Sequence, residues 1–269
     1  MEINNTPVYA GTSGYNYEDW KGTFAPKDTD NYDLLTHYKA SNLNFLELTY
    51  TFYRMPIAEK IAGICDRLGG IKLSIRLNKS LMRKKPDKLE IESFKEGIAP
   101  AIERGTAVAL LADFHHLFSA SRENFDILLE LKENFKDLPL FIELTNSTWP
   151  KELAKQEFSK EKYYDEFKAN QIGICVIDGP SFRGFAPYRP VCSNGGVYFR
   201  LYGKDPLWLS GTNKFLNYDY SDNELKRFMN DARDVSVMAK NIFFSFCNVE
   251  NGYAPKNAVS LKNMIEQGL

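Results

Sequence analysis

Short β-rich runs alternate with helix-like segments along nearly the whole chain, and this alternation limits the possible folds more than any other feature. Eight runs are apolar enough to be strands buried on both faces, and they cover residues 8–11, 45–49, 71–77, 107–112, 140–144, 172–177, 197–201 and 242–247. Helical segments are predicted between and after them over residues 32–40, 56–68, 91–104, 121–135, 152–169, 221–238 and 256–266. This order of elements is typical of a parallel α/β fold.

The number of strands and the chain length favour a closed barrel. The chain has 269 residues, close to the ~250 of a (β/α)8 barrel. Residues 179–196, between the sixth and seventh predicted strands, are rich in Gly and Pro and lack a helical period. We therefore predict one TIM-type (β/α)8 barrel domain over residues 1–269, with an irregular crossover between strands 6 and 7. An open Rossmann-like sheet is the alternative, although the chain lacks both common glycine-rich nucleotide fingerprints.

The charge balance argues against several partners. The formal net charge is −1, so no overall positive field attracts nucleic acid or anionic membranes. One basic run, residues 79–85, is expected to be a solvated loop, which leaves a nucleic-acid-binding module as an alternative. No apolar run approaches the ~20 residues that span a bilayer, and the first residues do not resemble a signal peptide. We expect a cytoplasmic protein without a membrane partner; the sequence does not indicate its oligomeric state.

Charged residues interrupt the predicted strands, mostly near the ends at which TIM-type barrels carry their active sites. They are Glu47, Arg76, Asp113, Glu143, Asp178 and Arg200. Because side chains alternate along a strand, Arg200 shares one face with Tyr198 and Tyr202, and the apolar neighbours share the other. We expect the polar set to point into the barrel. Buried charges must pair, contact water or bind a ligand.

These residues predict an enzyme-like pocket for a small polar or anionic ligand, such as a sugar or a phosphorylated metabolite. Glu47, Glu143 and Asp178 are the candidate acid–base groups. Arg76 and Arg200 are the candidate clamp for an anion. The candidate aromatic walls are Trp20, Tyr50, Tyr53 and Trp149. An interior ion network of the two glutamates with the two arginines, without any catalysis, is the alternative.

Metal ligands are scarce in the sequence. His115 and His116 follow Asp113, but no third histidine is near, and the four cysteines form no C-x-x-C pair. We therefore predict neither a metal site nor a cofactor. A metal-dependent hydrolase or isomerase that uses Glu143, Asp178 and His115 remains a further alternative.

Several blocks resemble the YecE-like family, in order and over essentially the whole chain. They are Gly11–Tyr15 with Trp20 and Gly22–Phe24, Glu47–Arg54, Ile142–Trp149, Tyr198–Gly203, and Asn248 with Gly252–Ala258. The resemblance implies a TIM-type barrel but no defined activity, because the function of the family is unknown. The additional ligand-binding candidates within these blocks are Ser13, Arg54, Tyr202, Asn248 and Asn257. The chain departs from the family pattern at residues 113–116, 144–146, 202 and 247, so part of the family's polar cluster is altered.

Overall fold

The computed structural model describes residues 1–31, 33–149, 160–181, 184–205 and 216–268, with the backbone alone for residues 160–164. Eight parallel strands form a closed barrel, because the first of them also pairs with the last. They are β2 (Thr6–Ser13), β3 (Phe45–Leu48), β4 (Lys72–Arg76), β5 (Ala107–Phe114), β6 (Leu140–Leu144), β7 (Ile172–Asp178), β8 (Gly196–Leu201) and β9 (Asn241–Phe246). A short strand, β1 (Glu2–Ile3), pairs antiparallel with β2. The predicted TIM-type barrel is confirmed.

Helices surround the barrel and connect its strands. They are α1 (Leu34–Ala40), α2 (Ala58–Leu68), α3 (Lys88–Glu103), α4 (Arg122–Asn134), α5 (Lys160–Ala169), α6 (Asp222–Ser236) and α7 (Tyr253–Gln267). Between β7 and β8 the described residues contain no helix, which confirms the irregular crossover. In the described part of the chain, no helix combines the length and the apolar character needed to cross a membrane.

Local sequence signals explain most of the helix boundaries. The side chain of Ser221 accepts a hydrogen bond from the backbone N–H of Glu224, whose carboxylate in turn accepts from Ser221, so α6 begins with the predicted capping box. The side chain of Asp87 caps α3, which therefore begins three residues earlier than predicted, at Lys88. Residues 152–159 of the predicted fifth helix, together with Tyr32, lie outside the described residues.

Strand β5 is longer than predicted, and this difference matters for the site. It extends to Phe114 rather than ending at residue 112, so Asp113 lies within the sheet and pairs in register with Glu143 of β6. The strand therefore carries the Asp113 carboxylate to the same level of the barrel as Glu143.

Four aromatic rings fill the barrel below its polar end: Phe45, Phe141, Tyr198 and Phe243. Each contacts at least two of the others, with ring centroids 5.2–5.9 Å apart. Because side chains alternate, each ring lies on the same face as the polar residue two positions later on its strand. The repeated Phe-x-Glu sequence of β3 and β6 therefore places a ring in the floor and a carboxylate above it.

Candidate functional site

Arg200 lies at the centre of a polar cluster inside the C-terminal end of the barrel. Strand β8 directs it inward together with Tyr198 and Tyr202, and only 2% of its side chain is exposed. Its guanidinium contacts Glu47 on one side and Glu143 on the other, and it also donates to the Tyr202 hydroxyl at 2.6 Å. Burial opposes the charge of Arg200, but these two carboxylates outweigh it and hold the pKa of Arg200 well above its usual value.

Glu47 is fully buried, and donors surround its carboxylate. Its oxygens accept hydrogen bonds from Ser13 Oγ (2.6 Å), Arg200 Nη2 (2.8 Å), Tyr198 OH (2.9 Å), Ser245 Oγ (2.9 Å) and Arg200 Nε (3.2 Å). Burial acts to raise the pKa of Glu47, but Arg200, then Arg76, and the serine hydroxyls more than offset it, so the pKa lies below its usual value. Glu47 is thus an ionised anchor for Arg200.

Glu143 is also buried, but its surroundings are different. It contacts Arg200 Nη1 and accepts a hydrogen bond from the Tyr202 hydroxyl, which lies 2.8 and 3.1 Å from its two oxygens. Burial raises the pKa of Glu143 most, Arg200 opposes this, and the negative charge of Asp113 raises it further, so the pKa is about 7. At neutral pH this carboxyl group can therefore give up or take a proton.

Asp113 links the two arginines of the site. Its Oδ2 lies 2.5 Å from Arg76 Nη2 and 3.4 Å from Arg200 Nη1. The Arg76 guanidinium also lies over the ring of Phe52, 4.4 Å from its centroid, and its buried Nε has no hydrogen-bond partner in the described part of the protein. Two guanidinium groups therefore face three carboxylates, and the cluster is neutral when Glu143 is protonated.

An open cleft of about 600 Å³ lies above this cluster, within the roughly 300–1,000 Å³ range of small-molecule sites. Its charged and hydroxyl-bearing lining residues are Ser13, Tyr17, Thr49, Tyr53, Arg76, Asp113, Glu143, Thr145, Arg200 and Tyr202. His115, His116, Phe185 and Leu216 complete much of its rim. The cleft therefore combines one carboxyl group that titrates near neutrality with many hydrogen-bonding groups.

The family model described as protein of unknown function DUF72 matches residues 9–269. The chain belongs to the DUF72 family. This membership confirms the resemblance to the YecE-like proteins. The comparison with curated proteins finds no match.

Solved structures of other DUF72 proteins share the whole barrel. A member from Thermotoga maritima has 29% sequence identity and a TM-score of 0.85, with 97% of this chain and 99% of that chain covered. A member from Enterococcus faecalis has 23% identity and a TM-score of 0.83, with 96% and 95% covered. An L-ribulose 3-epimerase has 12% identity and a TM-score of 0.50, with 96% and 97% covered. At that identity the likeness to the epimerase shows the fold alone.

The structure brings part of the predicted site together in this DUF72 chain. Ser13, Arg76, Glu143, Arg200, Tyr202 and Tyr53 line the cleft, and Glu47 lies directly beneath it. The arginines differ from the expected anion clamp, because Arg200 already contacts two glutamates and Arg76 already contacts Asp113. A free anion would have to compete with these carboxylates.

Asp178 does not join the cluster. Its β7 neighbours Cys175 and Ile177 face the barrel interior, so Asp178 faces outward. There its carboxylate accepts hydrogen bonds from Arg227 Nη2 at 2.8 Å and from Tyr220 OH at 2.9 Å. This corrects its predicted placement among the acid–base groups. It also separates Asp178 from Glu143 and His115, which line the cleft and with which it would have formed a metal site.

Two of the predicted aromatic walls are packing residues instead. Trp20 is buried, stacks on Tyr38 and donates from Nε1 to the Val249 carbonyl oxygen at 2.7 Å. Trp149 is likewise buried and donates to the Phe118 carbonyl oxygen at 2.8 Å. Both indoles anchor loops rather than line the cleft.

Four other candidates do not line the cleft. Asn248 and Asn257 hydrogen-bond to each other at 2.7 Å, and both also bind the segment before α6, through contacts with Tyr218 and Tyr220. Arg54 is exposed and is absent from the lining of the cleft. Tyr50 lines a neighbouring pocket.

Sequence reasoning missed some residues of the site. Asp113 was identified only as a charge near a strand end, because strand β5 was predicted to stop before it. Its position two residues after Leu111, on the same face of the strand, was the available signal. Tyr17, Thr49, Thr145 and Phe185 lie in loops, where no periodic pattern marks the direction of a side chain.

The alternatives of a nucleic-acid site and a metal site receive little support from the geometry. In the basic run, Arg83 pairs with Glu90 at 2.8 Å and Lys84 with Glu123 at 2.9 Å, so much of its charge is locally compensated. His115 and His116 reach the cleft rim with ring centroids 4.1 Å apart. The described residues include no group of three or more His, Cys, Asp or Glu side chains arranged to hold a metal ion.

Proposed function

We propose that this DUF72 protein is an enzyme that transfers a proton to or from a small hydroxyl-rich molecule of the sugar type, bound in the cleft at the mouth of the barrel. Glu143 is the acid–base group. Arg200 and Tyr202 stabilise its ionised form, and Glu47 holds Arg200 in place.

The contrast between the two glutamates carries this proposal. Glu47 accepts five hydrogen bonds and has a lowered pKa, so it has no capacity left to exchange protons. Glu143 lines the cleft and has a pKa raised to about 7. General acid–base catalysis is most effective when the pKa of the group lies near the working pH, which for Glu143 is neutrality.

The proton transfer can be followed atom by atom. Protonated Glu143 gives its proton to a substrate oxygen and becomes a carboxylate. Arg200 and the Tyr202 hydroxyl, already in contact with the Glu143 oxygens, then stabilise the new negative charge without moving. In the reverse direction the Glu143 carboxylate takes the proton back, so one residue serves as acid and base.

The surrounding groups favour a neutral polar body over an anion at this position. Both arginines already have carboxylate partners, and the cluster holds more carboxylates than guanidinium groups. The side chains of Thr49 and Thr145, which line the cleft, suit hydroxyl groups. The ring of Tyr53, which is 67% exposed, offers an apolar face for a sugar ring.

A glycosidase that uses Glu47 and Glu143 as its two carboxyl groups is the less favoured version. Such an enzyme needs a nucleophile or base that can reach the sugar or a water molecule. Glu47 is fully buried and its oxygens are bound by Ser13, Tyr198, Ser245 and Arg200. It is therefore a positioning residue.

The test first measures whether neutral sugars bind to the protein and then whether the protein converts those that do. A panel of neutral monosaccharides and polyols, at about 10 mM to populate millimolar complexes, is screened by saturation-transfer NMR against the wild-type protein. We expect a signal from at least one sugar that Tyr53→Ala weakens. Leu89→Ala, an equally exposed change on α3, is the matched control and should leave the signal intact.

Sugars that bind are then followed for chemical change as a function of pH. The rate should depend on a group with a pKa of about 7, and Glu143→Gln should abolish the reaction while leaving binding largely intact. The proposal is wrong if no neutral sugar binds, or if Glu143→Gln keeps the wild-type rate.

A further inference from the structure

A second pocket adjoins the cleft on the rim of the barrel. It has a volume of about 270 Å³ and lies between the loop after β2 and the turn after β3. Tyr17 and Thr49 line both spaces, so these two side chains form a shared wall. A molecule that occupies the cleft can therefore extend into this pocket past the Tyr17 and Thr49 side chains.

The second pocket is positively charged, whereas the cluster in the cleft is neutral or negative, depending on whether Glu143 is protonated. Its polar lining consists of Tyr15, Asn16, Tyr17, Thr49, Tyr50 and Lys60, with no carboxylate among its lining residues. The Lys60 ammonium lies over the ring of Tyr50, 4.1 Å from its centroid. Across the described part of the chain, no carboxylate lies within ion-pair distance of Lys60. Unlike Arg76 and Arg200, this cation is not already neutralised.

The wall under Lys60 also contains an unused donor. The Tyr50 hydroxyl is buried, and no described residue accepts its hydrogen. Burial, followed by the nearby Tyr15 and Cys65, raises the pKa of Tyr50 to about 12, so the hydroxyl keeps its proton at neutral pH. A buried hydroxyl without an acceptor is costly. Because this oxygen is closed to a water-sized molecule, a ligand oxygen reaches it only when the Tyr50 side chain moves toward the pocket.

We propose that the pocket under Lys60 binds the anionic end, a phosphate or a carboxylate, of a ligand whose hydroxyl-bearing body occupies the cleft. This inference rests on the proposed function for the identity of that body. It assigns the anion to Lys60 rather than to the arginine pair, and so makes a sugar phosphate or a sugar acid the substrate class. A single ammonium with neighbouring hydroxyl and amide groups suits a terminal anion that remains partly in water.

The test uses inorganic phosphate, which needs no knowledge of the sugar. Phosphate is titrated into isotopically labelled wild-type protein at constant ionic strength, and the backbone amide signals of Gly14, Tyr15 and Asn16 are followed by NMR. We expect saturable shifts with a dissociation constant on the order of millimolar. Lys60→Gln should weaken this binding at least about tenfold, and Lys60→Arg should retain most of it because the charge remains.

The control is Lys21→Gln, a lysine that already pairs with Glu18 at 2.9 Å on a neighbouring loop, which should leave phosphate binding unchanged. The contrary result is that phosphate shifts the side-chain Nε signals of Arg76 or Arg200 and that Lys60→Gln leaves these shifts unchanged. That result would place the anion in the cleft and overturn its assignment to Lys60. An absence of saturable shifts would overturn it as well.

The same titration with D-ribose 5-phosphate and D-ribose separates this inference from the proposed function. The phosphate ester should bind about tenfold tighter than the free sugar, and Lys60→Gln should remove that preference. If the free sugar binds and the phosphate ester binds no tighter, the proposed anion pocket is wrong but the proposed sugar site is supported. If phosphate binds at Lys60 but no sugar binds in the cleft, the proposed function fails while the anion pocket stands.

Discussion

Arg200 binds Glu47 through two hydrogen bonds, from Nη2 at 2.8 Å and from Nε at 3.2 Å, where neither side chain is more than 2% exposed. Removing one partner of such a pair leaves the other charge buried and uncompensated, which costs about 3–5 kcal/mol. We therefore expect Arg200→Met to lower the free energy of unfolding by that amount, as measured by urea denaturation at pH 7.

The matched control is Arg104→Met, which breaks an exposed ion pair with Asp66 at 2.6 Å. Exposed pairs contribute about 1 kcal/mol or less. If both variants lose the same small amount of stability, Arg200 is not the centre of a buried network.

The raised pKa of Glu143 makes the stability of the protein depend on pH. Between the ordinary glutamate pKa of about 4.3 and a folded-state pKa of about 7, the folded protein keeps a proton that the unfolded chain releases. Stability therefore falls as the pH rises through this window, by roughly 4 kcal/mol in all, and becomes level above it.

The glutamine side chain of the Glu143→Gln variant cannot ionise, so this variant should lack the dependence of stability on pH that Glu143 causes. The difference in free energy of unfolding between the wild type and the variant, measured at half-unit steps from pH 4.5 to 8, should therefore change in favour of the variant as the pH rises. The lowered pKa of Glu47 acts at more acidic pH, where its stabilising contribution is lost as the carboxylate becomes protonated. A difference that stays constant across the window would contradict the raised pKa.

Two neighbours of Glu143 should move its pKa in opposite directions. The charge of Asp113 disfavours ionisation, whereas the hydrogen bond from Tyr202 favours it. Asp113→Asn should therefore lower the pKa of Glu143, and Tyr202→Phe should raise it. Both shifts can be read from the carboxyl carbon signals of labelled glutamate, and shifts of the same sign would show that one of these neighbours is wrongly assigned.

The barrel and the inward direction of its polar residues could be predicted from the sequence because they depend on local rules. Alternation along β8 is enough to place Arg200 and Tyr202 on one face, and the closed barrel then directs that face to the axis. The same rule gave the wrong direction for Asp178. The inward-facing residues of β7 are Cys175 and Ile177, which are apolar, so Asp178 faces outward. When both faces of a barrel strand are apolar, the sequence does not show which face points into the barrel.

The pairing within the site could not be predicted, because it depends on register between strands distant in sequence. Arg76 contacts Asp113 rather than either glutamate, and this follows from the register of β4, β5 and β6. The roles of Trp20 and Trp149 depend on where loops fold back over the barrel, which residue type alone does not specify.

A close contact between β2 and β3 gives a prediction about the fold. A Cβ atom added at Gly11 would lie 1.8 Å from the Phe45 carbonyl oxygen, a backbone atom that cannot move aside cheaply. Gly11→Ala should therefore destabilise the barrel by more than about 3 kcal/mol. Gly63→Ala is the control, since Gly63 lies within α2 with open space around it, and there alanine should stabilise by about 0.5–1 kcal/mol. Equal effects of the two changes on thermal unfolding would contradict the observed packing.

The titration of Glu143 itself shows whether this carboxyl group can donate a proton at neutral pH. Protein labelled with ¹³C at the glutamate carboxyl carbons is titrated from pH 4 to 9, and the signal missing from Glu143→Gln is followed by NMR. We expect a midpoint at about pH 7 for that one carbon. A midpoint near the ordinary value of about 4.3 would mean that Glu143 is already ionised at neutral pH, and it would contradict the role of this residue as the proton donor of the cleft.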